Sequence, residues 1–126
     1  MVELDGYIHM RQANDIIGHL HHGIQERDID EILDCYDEKA EIQIFDQDNP
    51  PDDPMIVRGK GAIRAYFEDR LQRNLSHTLE AKVVSENYIA FTEQRRYVDG
   101  MRMVASDMCE VSGGKICKQM TVQVWG

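Results

Sequence analysis

No apolar run in the sequence approaches the ~20 residues that span a bilayer, which excludes a membrane span by helix. Cysteine is scarce. Cys35, Cys109 and Cys117 form no CxxC pair and leave an odd thiol over, so a disulfide framework is set aside and a reduced, cytoplasmic setting is expected. Positive charge is short as well: 14 Lys and Arg stand against 23 Asp and Glu, a net charge of −9. That balance argues against a nucleic-acid partner held through phosphate contacts and is most simply a solubilising surface. Met1–Arg11 has neither a positively charged start nor a long apolar core and does not read as a signal peptide. There is no composition break, internal repeat or low-complexity tract. The expectation is a single domain over residues 1–126, large enough to need no disulfide or metal staple.

What is present is well patterned. From Ile8 to about Arg27, Met10, Ala13, Ile17, Leu20, His21 and Ile24 recur at helical spacing, with Gln12, Asp15, His19, His22 and Glu26 opposite. The segment RDIDEILDCYDEKA predicts a second, shorter helix, with Asp28 as N-cap and Glu31 completing a capping box. Ala40–Phe45 alternates like a strand, Gln47–Pro54 is an acidic, proline-containing loop, and Met55–Arg58 is a short strand. Gly59 and Gly61 then bracket Lys60 in a turn that opens a third helix, whose stripe is Ile63, Tyr66, Phe67 and Leu71. Leu75–Ser85, Tyr88–Asp99, Met101–Ser112 and Lys115–Trp125 predict four strands, with Asp99-Gly100 and Ser112-Gly113-Gly114 as hairpin turns. The order is helix, helix, strand, strand, helix and a four-strand antiparallel meander: an α+β layer fold, a curved sheet with three helices on one side.

Three stretches carry a resemblance: RDIDEILDCYDEKAEIQIFD at the helix-to-strand passage, VRGKGAIRAYFEDRL at the third helix and CEVSGGKICKQM at the last hairpin. The chain resembles the nuclear transport factor 2-like superfamily, which includes ketosteroid isomerase and the SnoaL-like polyketide cyclases. The resemblance covers nearly the whole chain. It implies a cone-shaped, antiparallel-rich curved sheet with three helices enclosing a pocket, and commonly a homodimer through the other sheet face. In the last strand it places Gln119 and Gln123 toward the pocket and Ile116, Met120, Val122 and Val124 toward a partner subunit.

Asp107 is the first candidate for chemistry. It sits mid-strand in VASDMCEV among Met103, Ala105 and Cys109, where a carboxylate is otherwise unwelcome. The resemblance puts it where ketosteroid isomerase keeps a buried, hydrogen-bond-donating aspartic acid; the alternative is a strand aspartate facing solvent or an arginine. The rest of that isomerase's site does not carry over. Its catalytic tyrosine falls on Leu20 and its proton-shuttling aspartate on Ile44, which argues against authentic ketosteroid isomerisation and leaves both residues as substrate contacts. Asp46 lies one pleat beyond Ile44 on the same face. His77 occupies a strand position where many SnoaL-like chains carry a cavity histidine, and a histidine titrates near neutral pH. Tyr36 and His21 complete the substrate-facing set, with an ordinary core role as the alternative for each. Glu93 and Arg95 with Asp107 suggest the Asp-Arg-Asp water-activating triad of limonene epoxide hydrolase, but Tyr97 stands where the strand's aspartate is expected and the last strand has no acid, so a cross-strand ion pair is the better reading.

Other patterns are set aside. His19 and His22 lie on the polar helix face and read as solvated rather than as a metal pair. DQDNPPDD lacks the glycine and closing glutamate of a calcium loop, and GKG lacks the GKS/T ending of a phosphate loop. Neither cofactor nor metal is expected. The resulting expectation is a cofactor-free acid–base isomerase, cyclase or dehydratase acting on a hydrophobic, carbonyl-bearing small molecule. Asp107 would stabilise the developing oxyanion and His77 or Asp46 would move the proton. The alternative is a non-catalytic ligand-binding or dimerisation module of the same fold.

Overall fold

The computed structural model describes the backbone of residues 2–126 and the side chains of residues 12–126. Helix α1 runs Val2–Glu26, α2 Ile29–Asp34 and α3 Lys60–Arg73; the strands are β1 Tyr36–Phe45, β2 Met55–Arg58, β3 Asn74–Val84, β4 Tyr88–Tyr97, β5 Arg102–Ser112 and β6 Lys115–Trp125. The six strands form one curved, unclosed sheet in the order β2-β1-β6-β5-β4-β3. All neighbours are antiparallel except β1 and β6, which are parallel. This is the expected three-helix α+β architecture, with the predicted meander intact from β3 to β6.

The amphipathic face of α1 buries Ala13, Ile16, Ile17, Leu20 and Ile24 against the sheet; Met10, expected on that face, falls outside the described side chains. Two boundaries differ from expectation. The second helix stops at Asp34, and DCYDEKA, read as helix, is largely strand. The apolar phase of α2 runs into Tyr36 and imitates a further turn, but Tyr36 pairs with Ile116 and its buried side chain belongs to the sheet. Only half of the capping box forms. Asp28 Oδ1 accepts from the Glu31 backbone N–H at 3.1 Å, while the Glu31 carboxylate turns to His22, 2.8 Å away, and to His19.

Two devices seat the third helix. Gly59, at φ 87°, makes the turn from β2 and donates its N–H to Ala40 at 2.8 Å. At the other end Arg27 donates to the carbonyls of Leu71, at 2.9 Å, and Asn74, at 2.7 Å, satisfying groups that a helix C-terminus leaves free.

The last hairpin corrects one expectation. Glu110 pairs with Lys118, but Val111 pairs with Ile116, so β6 carries one extra residue there. The bulge turns Ile116 inward, where it is fully buried, instead of outward with Met120, Val122 and Val124. Beyond it the alternation is as expected: Gln119, Thr121 and Gln123 face the helices, and Met120, Val122 and Val124 face away.

Candidate functional site

The concave face of the sheet has a filled inner half and an open outer half. The inner half holds a void of about 10 Å³, lined by residues including Leu20, Tyr36, Glu93, Arg95 and Gln119. The outer half is a cavity of about 640 Å³ at the mouth. Its walls come from the end of β1 and the loop after it (Asp46, Asp48, Asn49), the C-terminal turn of α3 (Arg70, Gln72, Arg73), the β4–β5 turn, and Met55, Met103, Gln123 and Trp125.

The inner half is polar at its centre because inward positions on three neighbouring strands carry ionisable or amide side chains. Asp107 on β5 is 3 % exposed, and its Oδ1 accepts from the hydroxyl of Thr121 and from Gln119 Nε2 at 3.2 Å. Gln119 Oε1 in turn accepts from the Tyr36 hydroxyl at 2.6 Å. On β4, Glu93 Oε1 contacts Arg95 Nη2 at 2.9 Å and His77 Nε2 at 2.6 Å. All three of these side chains are buried.

Asp107 Oδ2 is buried, accepts no hydrogen bond from the described residues and feels the charge of Glu93 on the neighbouring strand, and two such carboxylates do not both stay charged in a buried place. Arg95 and His77 bond to Glu93 and not to Asp107, so the negative charge rests on Glu93 and the proton on Asp107. Burial, then the charge of Glu93, push the Asp107 carboxyl well above its usual range. Burial works to raise Glu93 too, but Arg95 and the hydrogen bonds from Asp107 and His77 outweigh it and hold Glu93 well below its usual range. Burial also lowers His77, against the pull of Glu93, and keeps the ring neutral. A neutral His77 that donates from Nε2 to Glu93 leaves Nδ1 to accept from Asn74 Nδ2 at 3.4 Å. The nearby Arg95 Nε, 3.3 Å from His77 Nε2, then has no lone pair to meet there.

Asp46 sits in the outer half. Its Oδ1 accepts from the backbone N–H groups of Asp48 and Asn49, both at 2.9 Å, and from Asn49 Nδ2 at 2.8 Å. Its Oδ2 accepts from Gln123 Nε2 at 2.9 Å. Partial burial favours the neutral acid, but these hydrogen bonds outweigh it and hold the carboxyl below its ordinary range.

The structure therefore brings together Asp107, Gln119 and Tyr36, with Leu20 at the adjoining void; His77 is bonded to Glu93 and Asn74 and does not line that void. Ile44 is fully buried in the core, and Asp46 stands apart at the mouth. The His21 ring is only half-buried and takes a hydrogen bond from Lys82 on β3; it borders neither the inner void nor the mouth. Sequence reasoning missed the role of Thr121, which the alternation of β6 had placed on the pocket face, and the mouth lining of Met103 and Tyr97. Among the described residues no group of His, Cys, Asp and Glu side chains is arranged to hold a metal ion. Among them, too, no helix is long and apolar enough to cross a membrane.

A curved sheet backed by three helices, with a polar inner wall and an open mouth, defines a class of α+β pocket domains. The chain belongs to the SnoaL-like domain family, whose model matches residues 17–119. It is similar to the solved structure of an ntf2-like protein of unknown function from Mesorhizobium loti, at 17 % identity and a TM-score of 0.75, with 90 % of this chain and 92 % of that one covered. The Delta 5-3-ketosteroid isomerase from Mycobacterium sp. matches at 18 % identity and a TM-score of 0.68, covering 87 % and 91 %. SalBIII, an epoxide hydrolase/cyclase-like enzyme with a role in pyran ring formation in salinomycin, matches at 19 % identity and a TM-score of 0.70, covering 92 % of each chain. At these identities the likeness establishes the fold alone. No curated protein shows significant similarity to the sequence.

Proposed function

We propose that the protein is a cofactor-free acid–base enzyme of the SnoaL-like type, an isomerase, cyclase or dehydratase for an apolar, carbonyl-bearing small molecule that enters through the mouth cavity. The observation that carries this reading is Asp107: a buried carboxyl group held by Thr121 and Gln119, whose pKa is pushed well above the usual range by burial and then by the charge of Glu93. A neutral acid of this kind stabilises a developing enolate oxygen at neutral pH when its single O–H turns from Glu93 to that oxygen. Glu93, held in turn by Arg95 and His77, is the charge that keeps the proton on Asp107. The proton that the substrate loses as the enolate forms goes to Asp46, the ionised carboxylate at the mouth, which returns it to the product; its hydrogen bonds hold its pKa below the ordinary range and make it a weak base.

Along the sheet, the pair Ala105 and Gln123 lies between Asp107 with Thr121 and Met103 with Trp125 at the mouth. Asp107 is thus one inward-facing pair, about 7 Å, deeper than Gln123. The enzyme reading requires the substrate to part this floor. A second reading, a ligand-binding module without chemistry, is favoured by the size of the inner void, about 10 Å³, which is room for roughly one water. Crystals soaked in a mixture of hydrophobic ketones and lactones separate the two. Density against Asp107 supports the enzyme; density confined to the mouth above a sealed Asp107 supports the binding module.

We also propose a homodimer through the convex face. Val104 pairs with Val124 and Met108 with Met120 across the middle of the sheet, and all four side chains are exposed. With Val122 they form an apolar patch of the kind that marks an interface.

A further inference from the structure

The floor of the mouth has a hydrogen-bonding polarity that is set by one pair of residues. Gln123 is 5 % exposed and lines the cavity. Its Nε2 is committed to Asp46 Oδ2, so the two ends of the amide are distinguishable. Its Oε1 is buried and accepts no hydrogen bond from the described residues. On the facing wall Arg70 and Arg73 each give one N–H to Asp69, at 2.6 and 2.8 Å, and lie over the rings of Tyr66 and Tyr97 respectively. An unused acceptor therefore lies just beneath the floor, and a buried acceptor without a donor is an unfavourable state that a ligand relieves by shifting the cover and reaching it.

We infer that the molecule bound at the mouth presents an O–H or N–H donor to Gln123 Oε1, and that Asp46 determines this preference by fixing which way the Gln123 amide points. The inference rests on the mouth being the ligand site. Combined with the proposed chemistry, it narrows the substrate class to apolar carbonyl compounds that also carry a hydroxyl or amino group.

Asp46 is a strict orienter because its own two oxygens are not interchangeable. Oδ1 is pinned as an acceptor by the N–H groups of Asp48 and Asn49. In Asp46→Asn the oxygen of the new amide must stay on those donors, which puts Nδ2 where Oδ2 was. Facing a donor, Gln123 has to turn its amide by half a rotation, which places Nε2 where Oε1 stood. The floor then donates instead of accepting.

The test is a pair of probes with one skeleton, 1-tetralol, whose hydroxyl donates, and 1-tetralone, whose carbonyl only accepts. Their dissociation constants are measured by calorimetry. The native protein is expected to favour the alcohol by roughly tenfold. Asp46→Asn is expected to bind the ketone more tightly and to bring the ratio near one, since a hydroxyl also accepts. Gln123→Leu should erase the preference without any gain for the ketone. If the native protein binds both probes equally, the inference fails and the mouth stands as a ligand site. If it binds neither, the site reading fails with it. A preference that survives in a natively folded Asp46→Asn overturns the role of Asp46. If that variant does not fold, a preference retained in Gln123→Leu overturns the proposal.

Discussion

At Asp107 the side chain is neutral by virtue of its neighbours, and this makes its replacement informative. Asparagine keeps the shape, keeps an acceptor for Thr121 and offers an N–H to Glu93. Unfolded Asp107 ionises near its ordinary value of 3.8, whereas the folded carboxyl stays protonated to much higher pH. A pKa raised in the native state gives stability that is present below the unfolded value and lost as pH rises through the folded one. Asparagine has no such loss. Asp107→Asn is therefore expected to be more stable than the native protein at pH 7, on the order of 1 kcal/mol, with the advantage shrinking toward pH 4. Urea unfolding at several pH values measures this. In the same variant, turnover or binding of carbonyl ligands should fall, because the titrating proton is gone. A loss of stability with unchanged binding would show Asp107 to be a purely structural partner of Glu93.

Among the elements, the contact of α1 with α2 depends on a missing side chain. A Cβ on Gly23 would stand 2.9 Å from Ile32 Cγ1 and 3.1 Å from its backbone nitrogen, whereas one on Gly18 would meet none of the described residues within 4 Å. Both glycines lie within α1, where alanine is intrinsically better by about 1 kcal/mol. Gly18→Ala should raise the thermal midpoint, and Gly23→Ala should lower it, because overpacking costs about 1–3 kcal/mol. Calorimetric melts of the two variants give opposite signs if the helices are packed as described. The elements were largely legible in the sequence where one period holds: the alternation of β5 puts Asp107 inward beside Met103, Ala105 and Cys109, as expected. Legibility fails where the period is broken or shared. The bulge that turns Ile116 inward leaves no mark in the residue types, and Tyr36 suits a helical stripe as well as a strand. The sealing of the inner half was not legible at all. It depends on how Tyr36, Tyr66, Phe67 and Phe91 fill the space around the void, which is decided by packing and not by pattern.

For the whole molecule, the convex patch governs assembly. Met120, Val122 and Val124 are 49, 49 and 61 % exposed in the single chain, more apolar surface than a lone domain usually leaves in one row. Analytical ultracentrifugation is expected to give a dimer at micromolar concentration, and Val122→Lys a monomer with an unchanged circular-dichroism spectrum. Ligand binding at the mouth should be the same with and without EDTA, since its walls hold no set of residues arranged for a metal; loss in EDTA with recovery in one divalent ion would overturn the acid–base scheme. The position of β6 has a further consequence, for the order of events during synthesis. The sheet runs β2-β1-β6-β5-β4-β3, so the last of the six strands to be translated lies between β1 and β5, which do not pair with each other. A nascent chain still short of Lys115 holds two separate ribbons, each with an open edge and an incomplete site, since Gln119, Thr121 and Gln123 all arrive with the final strand. The sheet can be joined only after β6 has left the ribosomal tunnel, and a nascent chain that has not reached that point is exposed at two unpaired edges to aggregation and proteolysis.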